Sequence, residues 1–470
     1  MKVQQLYTGC LAEAAYYIES DGVAAIIDPL RETQPYLDLL NQNHSKLEYI
    51  FETHFHADFV SGHLDLSAKT GAAIVYGPKA NPDYDIIVAH DHQDFKIGKV
   101  TLRALHTPGH TPESTTYLLL DEAGEPHSIF TGDTLFLGDV GRPDLAIKSD
   151  VTQEDLAGML FESLRSQIMP LPDHITVYPG HGAGSSCGKN LSKDTVDTLG
   201  NQKKTNYALN PDLSKEDFIK EVTEGIMPPP QYFPANAMMN KGGYDSFDKV
   251  LQRGFKSLDV DSFTQEVKKG ALVLDTRPAA EFTKSHIPGS LFIGIDGNFA
   301  MWVGALITDL KRPIVFLAPE GREEEVVTRL ARVGYDHAAG YLKGGIESWL
   351  KAERDISSIE NISPEDFETL YNQAEDKPSI VDVRKHGEFT AQHLENALFY
   401  PLDYIADHLG ELEEDTQHYV HCAGGYRSVI AISILMQSGY TDLVNIQKGF
   451  GGLKKTQLPI TEYVCPTTLA

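Results

Sequence analysis

The stretch Thr53-His54-Phe55-His56-Ala57-Asp58-Phe59 follows the apolar run Leu47-Glu48-Tyr49-Ile50-Phe51, which predicts a strand releasing two imidazoles and a carboxylate into a loop. Imidazole nitrogen and carboxylate oxygen suit Zn, Fe, Mn or Ni, and three or four such groups must converge from separate loops to hold the ion. Further donors come in the same design. Leu102-Arg103-Ala104-Leu105-His106-Thr107-Pro108-Gly109 predicts a strand that breaks at Pro-Gly and presents His110. Ile129-Phe130-Thr131-Gly132 does the same for Asp133, and Val177-Tyr178-Pro179-Gly180 for His181. A lone His or Asp after a strand is ordinarily a turn residue or a cap, whereas four in series point to a metal. Phe59, the seventh residue of the first loop, is an apolar ring that cannot ligate, and it bears on how many metals the site can hold.

HxHxD, TPGHT, TGDT and YPGHG in this order resemble the metallo-β-lactamase superfamily. Gly132-Asp133-Thr134-Leu135-Phe136 with Gly138-Asp139-Val140-Gly141-Arg142-Pro143-Asp144 resembles its branch of glyoxalase II and the persulfide dioxygenases. The resemblance implies an αββα sandwich with metal held in loops at one edge of the sheets. In the superfamily's two-metal members the first site uses both His of HxHxD and the TPGHT His. The second uses the motif's Asp, an adjacent His and the late His, with the TGD Asp bridging. Phe59 stands in place of that adjacent His. Resemblance to persulfide dioxygenases implies instead one Fe(II) on His54, His110 and Asp133, the face used by non-haem iron oxygenases. His56, Asp58 and His181 would then orient the ligands from behind. The competing assignment is a single Zn on His54, His56 and His110 that activates water. Spacing leaves both open.

The 470 residues suggest about three domains. A formal net charge of -27 argues against nucleic acid or an anionic membrane as partner. No apolar run approaches the ~18 residues of a membrane span, and the N-terminus lacks a signal-peptide core. The four cysteines, Cys10, Cys187, Cys422 and Cys465, are widely spaced, a reduced and cytoplasmic pattern. Residues 1–250 are expected to form the metal domain. Its end, with Met227-Pro228-Pro229-Pro230 and Lys241-Gly242-Gly243-Tyr244, reads as an irregular linker.

An internal repeat follows. Asp275, Arg277, Glu281, Phe282, Thr283 and His286 recur 107 residues on as Asp382, Arg384, Glu388, Phe389, Thr390 and His393. In the second copy a strand at 418–421 runs into Cys422-Ala423-Gly424-Gly425-Tyr426-Arg427-Ser428 and then an apolar helical run. Strand, glycine-rich loop and helix would aim backbone N–H groups at the sulfur and favour a nucleophilic thiolate. Arg427 adds a cation for an anionic substrate. Gly424, Gly425, Tyr426 and Ser428 line the expected substrate cradle.

Both copies resemble the rhodanese superfamily, which implies parallel-sheet α/β domains, here residues 257–353 and 358–460. It also implies that Cys422 takes sulfane sulfur as a persulfide and passes it to a thiol. In the first copy Leu317 is expected at the position of Cys422, at an offset of 105, so that copy is read as inactive. Together the resemblances imply a bifunctional sulfur enzyme. The first half would use O2 to oxidise a low-molecular-weight thiol persulfide, of glutathione, coenzyme A or a similar thiol, to sulfite and thiol. The second would exchange sulfur between thiosulfate, sulfite and thiols. A glyoxalase II-like thioester hydrolase and a sulfur-carrier protein are the alternatives. Arg142 is expected to brace the metal loops or bind substrate, and Cys187 to lie near them or pack as a buried thiol. The oligomeric state stays open.

Overall fold

The computed structural model describes residues 1–146, 151–189, 191–226, 228–413 and 415–465, so Met227 of the expected linker lies outside the described residues. The chain forms two compact units, Met1–Val250 with Thr328–Asp336, and Leu251–Val327 with His337–Ala470.

The first unit is built on two six-stranded sheets. One runs in order β1 (Lys2–Thr8), β2 (Glu13–Ser20), β3 (Val23–Ile27), β4 (Lys46–Phe51), β5 (Ala73–Tyr76) and β6 (Ile87–Val88). The other comprises β7 (Asp94–Ile97), β8 (Val100–His106), β9 (Thr115–Leu120), β10 (Pro126–Gly132), β11 (Thr176–Pro179) and β12 (Asp197–Thr198), adjacent in sequence order. Successive strand residues face opposite sides of a sheet, and here both sides are covered. In β2, Ala14, Tyr16 and Ile18 join the core between the sheets, while Ala15 and Tyr17 pack with Tyr36, Leu39 and Leu66 of flanking helices. In β9, Tyr117 and Leu119 face the shared core and Leu118 and Leu120 face Leu160, Leu164 and Phe218 on the other flank. Doubly buried strands read as continuous apolar runs for this reason, and the four layers are αββα.

Residues 228–230 and 243–246 of the expected linker are irregular, with a helix between them. Phe233–Gly242 is an α-helix with proline in its first turn. Proline at that position starts a helix rather than breaking one, because its missing N–H has no intrahelical partner there. Asn240 on this helix donates to the carbonyls of His56 and Phe59 at 2.8 Å each and accepts the Ser61 N–H at 2.9 Å, so the segment buttresses the HxHxD loop.

The second unit holds two five-stranded, wholly parallel sheets of identical order. The first is β13 (Ser257–Leu258), β14 (Leu272–Asp275), β15 (Leu291–Phe292), β16 (Ile314–Leu317) and β17 (Ala338–Leu342), ordered β13-β17-β16-β14-β15. The second is β18 (Glu360–Ile362), β19 (Ser379–Asp382), β20 (Leu398–Phe399), β21 (His418–His421) and β22 (Leu443–Ile446), ordered β18-β22-β21-β19-β20. The shared Asp, Arg and His of the repeats prove to be scaffold. Arg277 clamps Asp275 at 2.6 Å and the Ser285 carbonyl at 2.9 Å, and Arg384 does the same to Asp382 at 2.6 Å and Gln392 at 2.8 Å. His286 and His393 stack on Phe282 and Phe389 at 4.0 and 3.8 Å.

Strand register corrects the alignment of the two copies. Leu317 pairs with Asp275 as His421 pairs with Asp382, so Leu317 matches His421 and Ala318 stands at the position of Cys422. Gly321 and Gly425, at φ +80 and +99, match at the same spacing of 104. The first-copy loop therefore places a methyl group where the second has sulfur, and Glu323 where the second has Arg427.

Candidate metal and thiol sites

The four donor loops leave the ends of β4, β8, β10 and β11 and are stitched by backbone hydrogen bonds. Thr115 N–H reaches Thr53 O at 2.9 Å, Gly180 N–H reaches Gly132 O at 2.9 Å, and Gly141 N–H reaches Asp133 O at 3.0 Å. Such close approach needs glycine. A Cβ on Gly141 would lie 2.1 Å from Asp133 O and 3.0 Å from His110 Nδ1, and one on Gly132, at φ +47, would lie 2.4 Å from Thr53 Oγ1.

His54, His110 and Asp133 each offer a ligand atom within 4.8 Å of the others, and all three are buried. His110 Nε2 is 3.3 Å from Asp133 Oδ2, and His54 Nε2 is 4.0 Å from it. His181 Nε2 lies 3.5 Å from Asp133 Oδ1 and 3.4 Å from Asp58 Oδ2. Further groups at the same spacing are His56 with Asp58 and His181, and Asp133 with His181 and Cys187.

Hydrogen bonds set the tautomers. His110 Nδ1 meets Arg142 O at 2.8 Å and His181 Nδ1 meets Ala12 O at 3.3 Å, so each Nδ1 carries a proton and each Nε2 is turned toward Asp133. Thr53 Oγ1 donates to Asp28 Oδ2 at 2.8 Å and so accepts from His54 Nδ1 at 3.0 Å. Burial, reinforced by the imidazoles of His56, His110 and His181, holds His54 well below the ordinary histidine range and hence neutral. Both oxygens of Asp133 and Nε2 of His181 are buried without a hydrogen-bond partner. Orphaned carboxylate oxygens facing imidazole lone pairs are costly unless a cation joins them, so the donor set fits a divalent metal.

His56 is differently engaged. Its Nε2 is 3.1 Å from Asp28 Oδ1 and 3.4 Å from Glu52 Oε2, and the ring of Phe59, fully buried, lies 4.3 Å away. Burial works against the imidazolium, but the two carboxylates override it and hold His56 well above the ordinary histidine range. Arg142 chelates Asp144 through Nε and Nη2 at 2.6 and 2.7 Å and donates its N–H to Cys187 O at 3.0 Å, which makes it a brace of the metal loops. Cys187 is 2% exposed, and burial, with Asp58 and Asp133 nearby, pushes its thiol well up.

Asp28, Glu52, Asn240 and Glu13 escaped the sequence reading, since each lies outside the four motifs and carries no spacing signal. Glu13, whose backbone bridges that of His181, is 1% exposed with neither carboxylate oxygen hydrogen-bonded. Burial raises it well above the ordinary glutamate value. A carboxyl raised on folding stabilises fully below its unfolded value and loses that contribution as pH rises toward its folded value. Stability attributable to Glu13 therefore declines as pH rises above about 4.5, until Glu13 ionises in the folded state. Glu13→Gln is expected to remove this decline, measured as a flatter dependence of melting temperature on pH between 5 and 8.

In the second unit, Cys422 is 1% exposed at the end of β21. Gly425 N–H points at its Sγ from 3.1 Å, and the Ser428 hydroxyl lies at 3.7 Å, itself donating to Asn445 at 2.7 Å. The helix Arg427–Gln437 starts at the loop's end. Gly424 is exposed and Tyr426 partly buried, with its hydroxyl on Gly294 O at 2.8 Å. Arg427, expected as a free cation for substrate, is bound by Glu388 through both nitrogens at 2.6 and 2.8 Å, so its charge is shared.

A metallo-beta-lactamase superfamily profile matches residues 8–181, and a rhodanese-like domain profile matches twice, at 259–352 and 363–456. The human mitochondrial persulfide dioxygenase ETHE1 is 31% identical over 220 residues, which cover 45% of this chain and 78% of that protein. The chain belongs to the metallo-β-lactamase superfamily and carries two rhodanese-like domains after its metal-site domain. A probable hydroxyacylglutathione hydrolase of Schizosaccharomyces pombe is 34% identical over 173 residues, 36% of this chain and 62% of that protein, so the match spans less than two thirds of its length. A crystal structure of a metallo-beta-lactamase from Staphylococcus aureus covers 72% of this chain and 98% of its own, at 32% identity and a TM-score of 0.66. Among the described residues no helix is long and apolar enough to cross a membrane. Relatives of the first half thus include both a persulfide dioxygenase and a hydroxyacylglutathione hydrolase, and the second half carries two rhodanese-like domains.

Proposed function

We propose that residues 1–250 oxidise a low-molecular-weight thiol persulfide with O2 to sulfite and thiol at one Fe(II), and that residues 358–460 transfer sulfane sulfur through Cys422, with 257–353 catalytically silent. The observation that carries the reading is Phe59 packed on His56, beside a triad of His54, His110 and Asp133. The second-metal position thereby lacks a ligand, which disfavours the two-metal hydrolase chemistry suggested by the S. pombe relative.

His54, His110 and Asp133 would hold the iron, which supplies sites where persulfide sulfur and O2 meet. The overall step balances as RSS⁻ + O2 + H2O → RSH + SO3²⁻ + H⁺. The terminal sulfur loses all four electrons that O2 takes up, so no outside reductant is needed. His181, held at Nδ1 by Ala12 O, would turn Nε2 toward Asp133 and Asp58 and offer it to the proton released as water adds.

At Cys422, the thiolate attacks the outer sulfur of thiosulfate. An S–S bond forms to the cysteine, the bond to the sulfonate sulfur breaks, and sulfite leaves with the electron pair. A thiolate RS⁻ then removes the sulfur as RSS⁻, the substrate of the first half, and the sequence runs equally in reverse. Gly425 N–H, 3.1 Å from Sγ, stabilises anionic sulfur there.

Metal analysis with O2 uptake on glutathione persulfide tests the reading. One iron per chain and uptake matching sulfite formation are expected. A zinc-only protein that consumes no O2 and hydrolyses S-lactoylglutathione would overturn it.

A further inference from the structure

The first rhodanese-like repeat has lost its sulfur-carrying residue, yet it grips the reactive loop of the second. Tyr426, the loop residue between Gly425 and Arg427, donates its hydroxyl to Gly294 O at 2.8 Å. Its ring packs edge-on against Phe292 at 5.8 Å. A Cβ on Gly297 would lie 2.3 Å from Tyr426 Cζ, and one on Gly294 would lie 3.2 Å from Cε2, so the ring sits in a notch that only glycines leave open. Gly294 O also accepts the Gly297 N–H at 3.2 Å, which closes the notch into a turn. Arg322 holds that turn by donating to Asp296 at 2.6 Å. At the 104-residue spacing of the strand register, Arg322 occupies the first repeat's own Tyr426 position, so the degenerate loop now supports the notch instead of a substrate.

The grip continues along the helix that follows the loop. Ser433 Oγ accepts the Phe292 N–H at 3.1 Å, and Gln437 donates to Gly289 O at 3.0 Å. Tyr426 is flanked by the residue whose N–H faces the Cys422 sulfur and by the first residue of the helix. A shift of the Tyr426 backbone would therefore carry with it both the sulfur's hydrogen-bond donor and the start of the helix at Arg427.

We propose that the first rhodanese-like repeat is a positioning element for sulfur transfer, its Gly294–Gly297 turn setting the Cys422 loop through Tyr426. This rests on the reading of Cys422 as sulfur carrier. Displacement of a reacting geometry by about 1 Å costs up to ~100-fold in rate, so the effect is measurable without loss of the fold. Gly297 has no positive φ, and Gly297→Ala adds no backbone strain.

The test is steady-state sulfur transfer from thiosulfate to glutathione by the full chain, in Gly297→Ala, Tyr426→Ala, the double variant and Cys422→Ser, with O2 uptake on glutathione persulfide measured in parallel. Gly297→Ala is expected to lower kcat about tenfold or more while O2 uptake holds. In the Tyr426→Ala background, where the notch is empty, the same glycine change is expected to have no further effect. Wild-type transfer by Gly297→Ala overturns the proposal, and so does a loss of equal size with and without Tyr426, which would mark a general defect of the first repeat. Wild-type protein that transfers no more sulfur than Cys422→Ser overturns the carrier reading itself, independently of Gly297.

Discussion

Asp133→Asn is expected to abolish persulfide-dependent O2 uptake, by at least about 100-fold, and to release the metal. Loss of groups that merely orient metal ligands costs ~10–100-fold, and Asp133 stands closer in, facing His54, His110 and His181 at 4.0, 3.3 and 3.5 Å. The amide keeps the size of the carboxylate, so the fold is retained and the charge alone is lost. Iron content and oxygen electrode traces check this, with sulfur transfer at Cys422 serving as the folding control. Retention of one iron per chain with undiminished uptake would remove Asp133 from the ligand set.

Cys422→Ser is expected to remove thiosulfate:glutathione sulfur transfer, by at least about 1,000-fold, the scale seen when a covalent nucleophile is deleted. O2 uptake on glutathione persulfide should stay at the wild-type rate. A hydroxyl in place of the thiol keeps the volume and the Gly425 contact but cannot carry sulfane sulfur. Transfer surviving in Cys422→Ser would reassign the carrier to another thiol of the chain.

The candidate metal donors were legible because each motif places its donor just past a largely apolar strand, and strand ends in a sandwich converge on one edge. His54, His110, Asp133 and His181 needed nothing more than this. The glycine-rich loop of Cys422 was legible for the same reason, since a parallel strand feeding a helix has little choice of path. Glu13, Asp28, Glu52 and Asn240 were not legible. They reach the site from β2, the end of β3, the start of the HxHxD loop and a distant helix, and no spacing along the chain encodes those approaches. What the helix Phe233–Gly242 supports was not legible either, because no spacing marks Asn240 as a partner of the HxHxD loop.

Composition and motif order by themselves determined the class of donors, the thiol and the duplication of the second half. Tertiary structure alone decided the pairing. It placed Ala318 rather than Leu317 at the cysteine position, because register is set by hydrogen bonding to Asp275 and Asp382, and a one-residue difference in loop length is invisible to identity counts. It also tied Arg427 to Glu388 and seated Tyr426 on Gly294 and Gly297, contacts that exist only where side chains distant in sequence meet in a packed interior.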